Sequence, residues 1–154
     1  MPAETRLTPH RRPSAAIEVC VPFHDVDLLR MVWHGRYPKY FELARIALLA
    51  RLGFDEASLY DEGYAFPIVD LRVRYLQAIR LAQRIIVRAT LITTDPMLRM
   101  SYEIVDADNG ERLTRASSTQ VATDATSGQR LPASDPLHAR VAAAIAALAA
   151  GSAA

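Results

Sequence analysis

A chain of 154 residues, 51% hydrophobic and 23% charged, reads as one domain with enough length to bury a real core. Its formal net charge of +1 leaves no electrostatic footprint for nucleic acid, and its single cysteine, Cys20, forbids an internal disulfide and fits a reducing cytoplasm. No apolar run approaches the roughly 18–20 residues that span a bilayer, and no apolar segment follows Arg6, Arg11 and Arg12 to form a signal peptide.

Residues 1–14 hold three prolines, several charges and no periodicity, which predicts a flexible tail. Ile17, Val19, Val21 and Phe23 then alternate with Glu18, Cys20 and Pro22, the period of a half-buried strand with Cys20 as a buried structural thiol. Pro22 has no N–H for a ladder, so the strand lies at an edge or stops there. After a loop from His24 to His34, a helix is predicted over 35–52. Pro38 is tolerable in its first turn, and Gly53 sits at the usual closing position. Tyr37, Phe41, Ala44, Leu48 and Leu52 form an apolar stripe, widened by Leu43, Ile46, Ala47 and Leu49, so the helix is expected to be buried on most sides. Glu42 and Arg45 stand three apart and suit a surface or interface ion pair.

A short helical turn is expected over 55–60. Four alternating stretches follow, over 69–75, 85–91, 98–104 and 113–123. Asp108-Asn109-Gly110 marks a tight hairpin between the last two, and Thr94-Asp95-Pro96 a turn before the third. Short links favour antiparallel neighbours. One apolar helix is the element able to cover one face of such a sheet. The expected fold is therefore α+β, a five-stranded antiparallel sheet wrapped around one long helix over 15–134. An Ala-rich helix or tail over 135–154 docks outside the core or frays.

The loop into the helix concentrates the chemistry. Asp25-Val26-Asp27, His34 seven residues after the second aspartate, then Tyr37, Tyr40-Phe41-Glu42 and Ala44-Arg45, resemble the signature of hotdog-fold acyl-CoA thioesterases, the 4-hydroxybenzoyl-CoA thioesterase group in particular. Val73-Arg74-Tyr75, residues 116–122 and Leu131-Pro132 extend the likeness in order, over roughly residues 17–132. The resemblance implies the hotdog fold. It also implies hydrolysis of an acyl-CoA or acyl-carrier-protein thioester, with Asp27 as nucleophile or general base and the backbone N–H of His34 as oxyanion donor at the helix mouth.

On the same resemblance Gly35 lets substrate approach the backbone, and Trp33 and Tyr37 line the pocket. Asp25 holds the loop through backbone N–H groups, and two copies pair their sheets as a homodimer or homotetramer. Many members of the group have glycine where this chain has Arg30, so the loop before Met31 is expected to take another path, with Arg30 a cation for the ligand. Arg72, Arg74, Arg80, Arg84, Arg88 and Arg99 form a basic set for the phosphates of CoA, and Tyr64, Phe66, Tyr75 and Trp33 offer aromatic surface for an aryl group. No cofactor is implied, and no His, Cys or carboxylate cluster has metal spacing. Two other readings stay open. One is a 3-hydroxyacyl-thioester dehydratase of the same fold, using His34 and Glu42; the other is a non-catalytic acyl-thioester binding module.

Overall fold

The computed structural model describes residues 5–94 and 97–152. In chain order the elements are β1 (Thr5–Arg6), β2 (Ser14–Cys20), α1 (Tyr37–Arg51), α2 (Glu56–Asp61), β3 (Tyr64–Ala65), β4 (Ile68–Tyr75), β5 (Arg84–Thr94), β6 (Met97–Asp106), β7 (Arg112–Val121), β8 (Thr123–Asp124) and α3 (Pro136–Ser152). The antiparallel sheet runs β5-β6-β7-β4, and β2 pairs along β5 on its other side. The five long strands with the long helix α1 against one face are the expected architecture. The turn at Thr94-Asp95-Pro96 falls on residues 95 and 96, outside the described residues.

The inner face explains why α1 sits where it does. Ile85, Val87, Ala89 and Leu91 of β5 and Leu98, Met100, Tyr102 and Ile104 of β6 are all buried, as alternation requires when one face is covered. Tyr40, Ala44 and Leu48 of α1 meet them with no exposed surface. The helix is less completely enclosed than its sequence suggests, because Leu43 and Ile46 remain exposed on its far side. Arg45 is no surface ion: it is 5% exposed and pairs with Glu42 on its own helix and with Glu56, 2.6 Å away, at the start of α2. The link fastens α1 to α2, whose first turn is capped by the Asp55 side chain accepting from Ser58 N–H.

Four other details depart from the sequence reading. Part of the presumed tail is ordered into the sheet edge: Thr5 and Arg6 pair with Thr94 and Thr93, and Leu7 N–H donates to Ile92 O. That happens because β5 is 11 residues long and β2 covers only part of its edge. Cys20, at the end of β2, is exposed. The small ladder between β3 and β8 was not anticipated, since two-residue strands carry no periodicity. Finally, α3 does not stand outside the core: Leu137, Val141 and Ile145 bury one stripe in it, and Arg140 reaches Glu62 and the ring of Phe54. No helix among the described residues is long and apolar enough to cross a membrane.

Candidate active site

Residues 23–36 fold into a small hairpin held between α1 and the sheet. A single 3-10 turn over 23–25 leads into a stalk in which Val26 bridges Val32. Asp27 N–H donates to Met31 O at 3.0 Å, and Trp33 N–H to Asp25 O at 3.0 Å. The tip closes with Arg30 N–H on Asp27 O, and the returning strand docks on the loop after β4 through Val32 N–H to Ile79 O and a bridge between Met31 and Arg80. Another 3-10 turn over 34–36 then runs straight into α1.

Asp25 secures this arrangement. It is 1% exposed, and its partners are side chains, not the backbone N–H groups expected. Tyr40 hydroxyl donates to it at 2.7 Å and Lys39 ammonium at 3.0 and 3.2 Å, with Arg36 and His24 each 3.8 Å away. Burial pushes the Asp25 carboxyl up, but the Tyr40 and Lys39 hydrogen bonds and the nearby positive charge outweigh it and hold it below its ordinary value. Burial and the Asp25 carboxylate together push the Tyr40 phenol well above its usual value. Lys39 and Tyr40 belong to the first turn of α1, so this cluster ties the hairpin to the helix. The sequence hides it, because Lys39 reads as a solvated lysine and Tyr40 as a core aromatic.

Asp27 lies two residues on, half-buried, its Oδ1 accepting from Leu29 N–H at 2.8 Å. That bond fixes the carboxylate, and Oδ2 meets no donor among the described residues. Arg30 does not reroute the loop. It takes φ +58° itself, the left-handed conformation that glycine adopts freely and that costs another residue roughly 1–2 kcal/mol. Ala82, whose N–H donates to Val21 O in the adjoining loop, is held the same way at φ +63°.

At the 3-10 turn that leads into α1, Trp33 occupies the cap position with no side-chain acceptor to offer, and neither His34 N–H nor Gly35 N–H meets an acceptor among the described residues. The helix begins with open donors and the positive end of its dipole. The Trp33 ring is 46% exposed and lies against the His34 imidazole, 5.1 Å between centroids. It also explains Gly35: a Cβ there would fall 2.3–2.8 Å from the Trp33 ring, so the space is taken from within, not kept for substrate. Tyr37 is buried and packs edge-on against Tyr75, whose hydroxyl donates to His34 O at 2.9 Å. Tyr75 joins the site from the end of β4. Tyr64 and Phe66 do not; they line a separate hollow of about 300 Å3 beside α2. Asp27, Arg30, Trp33, His34, Gly35 and Tyr37 thus gather on one hairpin and the helix start it feeds, whereas Glu42 is turned away into its pairing with Arg45. Among the described residues no three His, Cys or acidic side chains stand close enough to hold a metal ion.

Residues 21–142 match the family model of the thioesterase-like superfamily. A candidate esterase of Synechocystis sp. is 35% identical over 120 residues, 75% of this chain and 72% of that protein. Among solved structures, a DHNA-CoA thioesterase from Staphylococcus aureus superposes with a TM-score of 0.77 at 23% identity, covering 90% of this chain and 95% of that one. A 1,4-dihydroxy-2-naphthoyl-CoA thioesterase from Synechocystis gives 0.73 at 19% identity, covering 84% and 96%. At such identities the likeness establishes the hotdog fold.

Two outcomes follow from the hairpin. Because the folded pKa of Asp25 is depressed, its stabilisation is complete above the ordinary carboxylate value of about 3.9 and drains away as pH falls through the lower folded value. Urea unfolding at neutral pH is expected to show Asp25→Asn less stable by about 2 kcal/mol. The gap should close in acid, and a constant gap down to low pH would contradict the assignment. Arg30→Gly is expected to raise stability by roughly 0.5–1 kcal/mol, the relief of the left-handed backbone less the added entropy of glycine. A loss of stability would show that the Arg30 side chain itself anchors the loop.

Proposed function

The chain belongs to the thioesterase-like superfamily, and from that premise we propose that it hydrolyses an acyl-CoA or acyl-carrier-protein thioester to the free acid and thiol. The observation that supports this reading most directly is an uncapped helical start fed by a hairpin whose stalk carries the half-buried Asp27 carboxylate. A thioester carbonyl with its oxygen on the open His34 N–H would find its developing charge stabilised by that donor and by the helix dipole. One such donor is typically worth about 3 kcal/mol of barrier. Asp27, on the stalk of the same hairpin, either attacks the carbonyl carbon to give a mixed anhydride that water cleaves, or takes a proton from the attacking water. In both routes the C–S bond breaks, the thiol leaves with a proton, and a carboxylic acid remains.

The Asp25 cluster has no room in this chemistry, since its carboxylate is already engaged by Tyr40 and Lys39. Its part is to hold the hairpin on α1. Trp33 and Tyr75 flank the open donors and supply apolar surface for the acyl group. The dehydratase reading needs Glu42 as the acid on the helix, and Glu42 is tied to Arg45.

The site sits at the open edge of the sheet. Among the described residues β4 is paired on one side only, by β7, and Ile68 and Val69 on it are exposed, as are Phe23, Leu28 and Leu29 on the hairpin. An unpaired strand with apolar neighbours calls for cover. A second copy of the chain, laid antiparallel along β4, supplies it and closes the site between subunits.

With a panel of aliphatic and aromatic acyl-CoA esters, thiol release is expected from at least one member, falling ~100-fold or more in Asp27→Asn. Undiminished turnover in that variant would remove Asp27 from the chemistry, and inertness toward every CoA and carrier-protein ester would overturn the hydrolase reading. Sedimentation equilibrium is expected to give a mass of at least twice the 17.0 kDa of one chain. Val69→Arg should lower both mass and activity. A monomer with full activity would contradict the shared site.

A further inference from the structure

The N-terminal stretch carries an arginine pair that the hydrolytic site does not use. After β1 the chain makes a 3-10 turn over Pro9–Arg11 and enters β2 at Ser14. That turn, the last residue of α1 and the last turns of α3 enclose a pocket of about 150 Å3. His10, Arg11, Arg12 and Arg51 supply its polar wall, and Ile145 and Leu148 an apolar one. None of its lining residues is acidic.

Two of the guanidinium groups are held in place by the backbone. Arg12 is half-buried, and its Nε–H donates to Leu7 O at 3.1 Å. Arg51 donates through Nη1 to Ser14 O. Each bond orients the planar fork and leaves the group's other donors for a ligand. The Arg11 side chain has no hydrogen-bond or ion-pair partner among the described residues. Three positive charges therefore converge where the last turns of α1 and α3 bring roughly half a negative charge each. The balance is about +2, in a chain whose formal net charge is +1. Such groups repel unless an anion joins them. The space equals about five waters at ~30 Å3 each, below the roughly 300–1,000 Å3 of sites for larger molecules. It suits one tetrahedral oxyanion, whose oxygens a guanidinium fork meets in pairs. Position separates the pocket from the helix mouth. The 15 residues of α1, at 1.5 Å each, put about 22 Å between its two ends. Ser14 opens β2, which lies four strand spacings, roughly 19 Å, from β4.

We infer that this pocket is a second binding site, for a phosphate group either free or carried as a small monoester, with Arg11, Arg12 and Arg51 as its contacts. The inference does not rest on the thioesterase reading. A phosphate seated there joins the N-terminal turn to the ends of α1 and α3, so occupancy stabilises the docking of all three. Isothermal titration with inorganic phosphate, at fixed ionic strength, is expected to show saturable binding to the wild-type protein. Arg11→Gln should weaken it at least ~10-fold, the usual scale for one charge-assisted contact. Without phosphate the thermal midpoint of that variant should equal or exceed the wild type, because Arg11 holds nothing and its repulsion is removed. Added phosphate should raise the wild-type midpoint and raise the variant's less. Arg72→Gln/Arg74→Gln, on the outer face of β4, should bind as the wild type does.

Phenyl phosphate, titrated beside the inorganic ion, separates the two sources. Tighter binding assigns the site to a monoester whose substituent lies on Ile145 and Leu148, and equal or weaker binding assigns it to free phosphate. No saturable binding, or equal binding by the wild type and Arg11→Gln, overturns the site. Loss of binding in the β4 variant instead would place the anion on the sheet and contradict the pocket. A raised KM for an acyl-CoA in Arg11→Gln would make the pocket part of the substrate site and contradict its separateness. Phosphate binding as expected, in a protein that hydrolyses no thioester, would uphold the site and overturn only the hydrolase reading.

Discussion

A single buried carboxylate holds the reactive part of this molecule together. Asp25 accepts from Tyr40 and Lys39 in the first turn of α1, while its own backbone oxygen receives Trp33 N–H from the other arm of the hairpin. One residue therefore spans the two things that must stay in register, the stalk bearing Asp27 and the helix start bearing the open donors. The cost of burying a charge is met by hydrogen bonds from the two groups and by the positive charge around them, which is why the carboxyl stays ionised although almost none of it is exposed. Removing one partner leaves the other buried and unpaired, the more expensive loss.

The strain in the hairpin belongs to the same economy. Arg30 and Ala82 take left-handed backbone in two adjoining loops, each joined to the other by the bridge between Met31 and Arg80. Such conformations persist where surrounding structure over-determines them, and they gather at functional sites. Around this knot Phe23, Leu28 and Leu29 are exposed, and among the described residues the β4 edge of the sheet is unpaired. The outer face of the same strand is strongly basic.

Much of this was legible in the sequence. Alternation over β4 to β7 and the stripe of α1 are long enough for their period to be unmistakable, and Asp108-Asn109-Gly110 announces its hairpin, where Gly110 takes φ +74°. The run from Asp25 to Glu42 singled out the stretch that folds into the hairpin and the start of α1. What remained hidden was pairing at a distance. Nothing local says that Lys39 and Tyr40 turn back onto Asp25, that Trp33 occupies the space beside Gly35, or that Arg45 is buried between two glutamates. Arg30 misled for a different reason: its residue type argues against positive φ, and the tertiary contacts of the tip overrode that preference. The N-terminal stretch and α3 were underestimated because short strands and Ala-rich helices carry little signal until the surface they dock on is known.

We propose that thioester cleavage takes place where the hairpin meets the mouth of α1. The most direct test is a crystal structure of Asp27→Asn, soaked with an acyl-CoA it has been shown to bind. The account predicts the thioester oxygen about 2.9 Å from His34 N, with the residue-27 side chain facing the carbonyl carbon. An acyl group lodged elsewhere, with the donors of His34 and Gly35 still open to solvent, would contradict it.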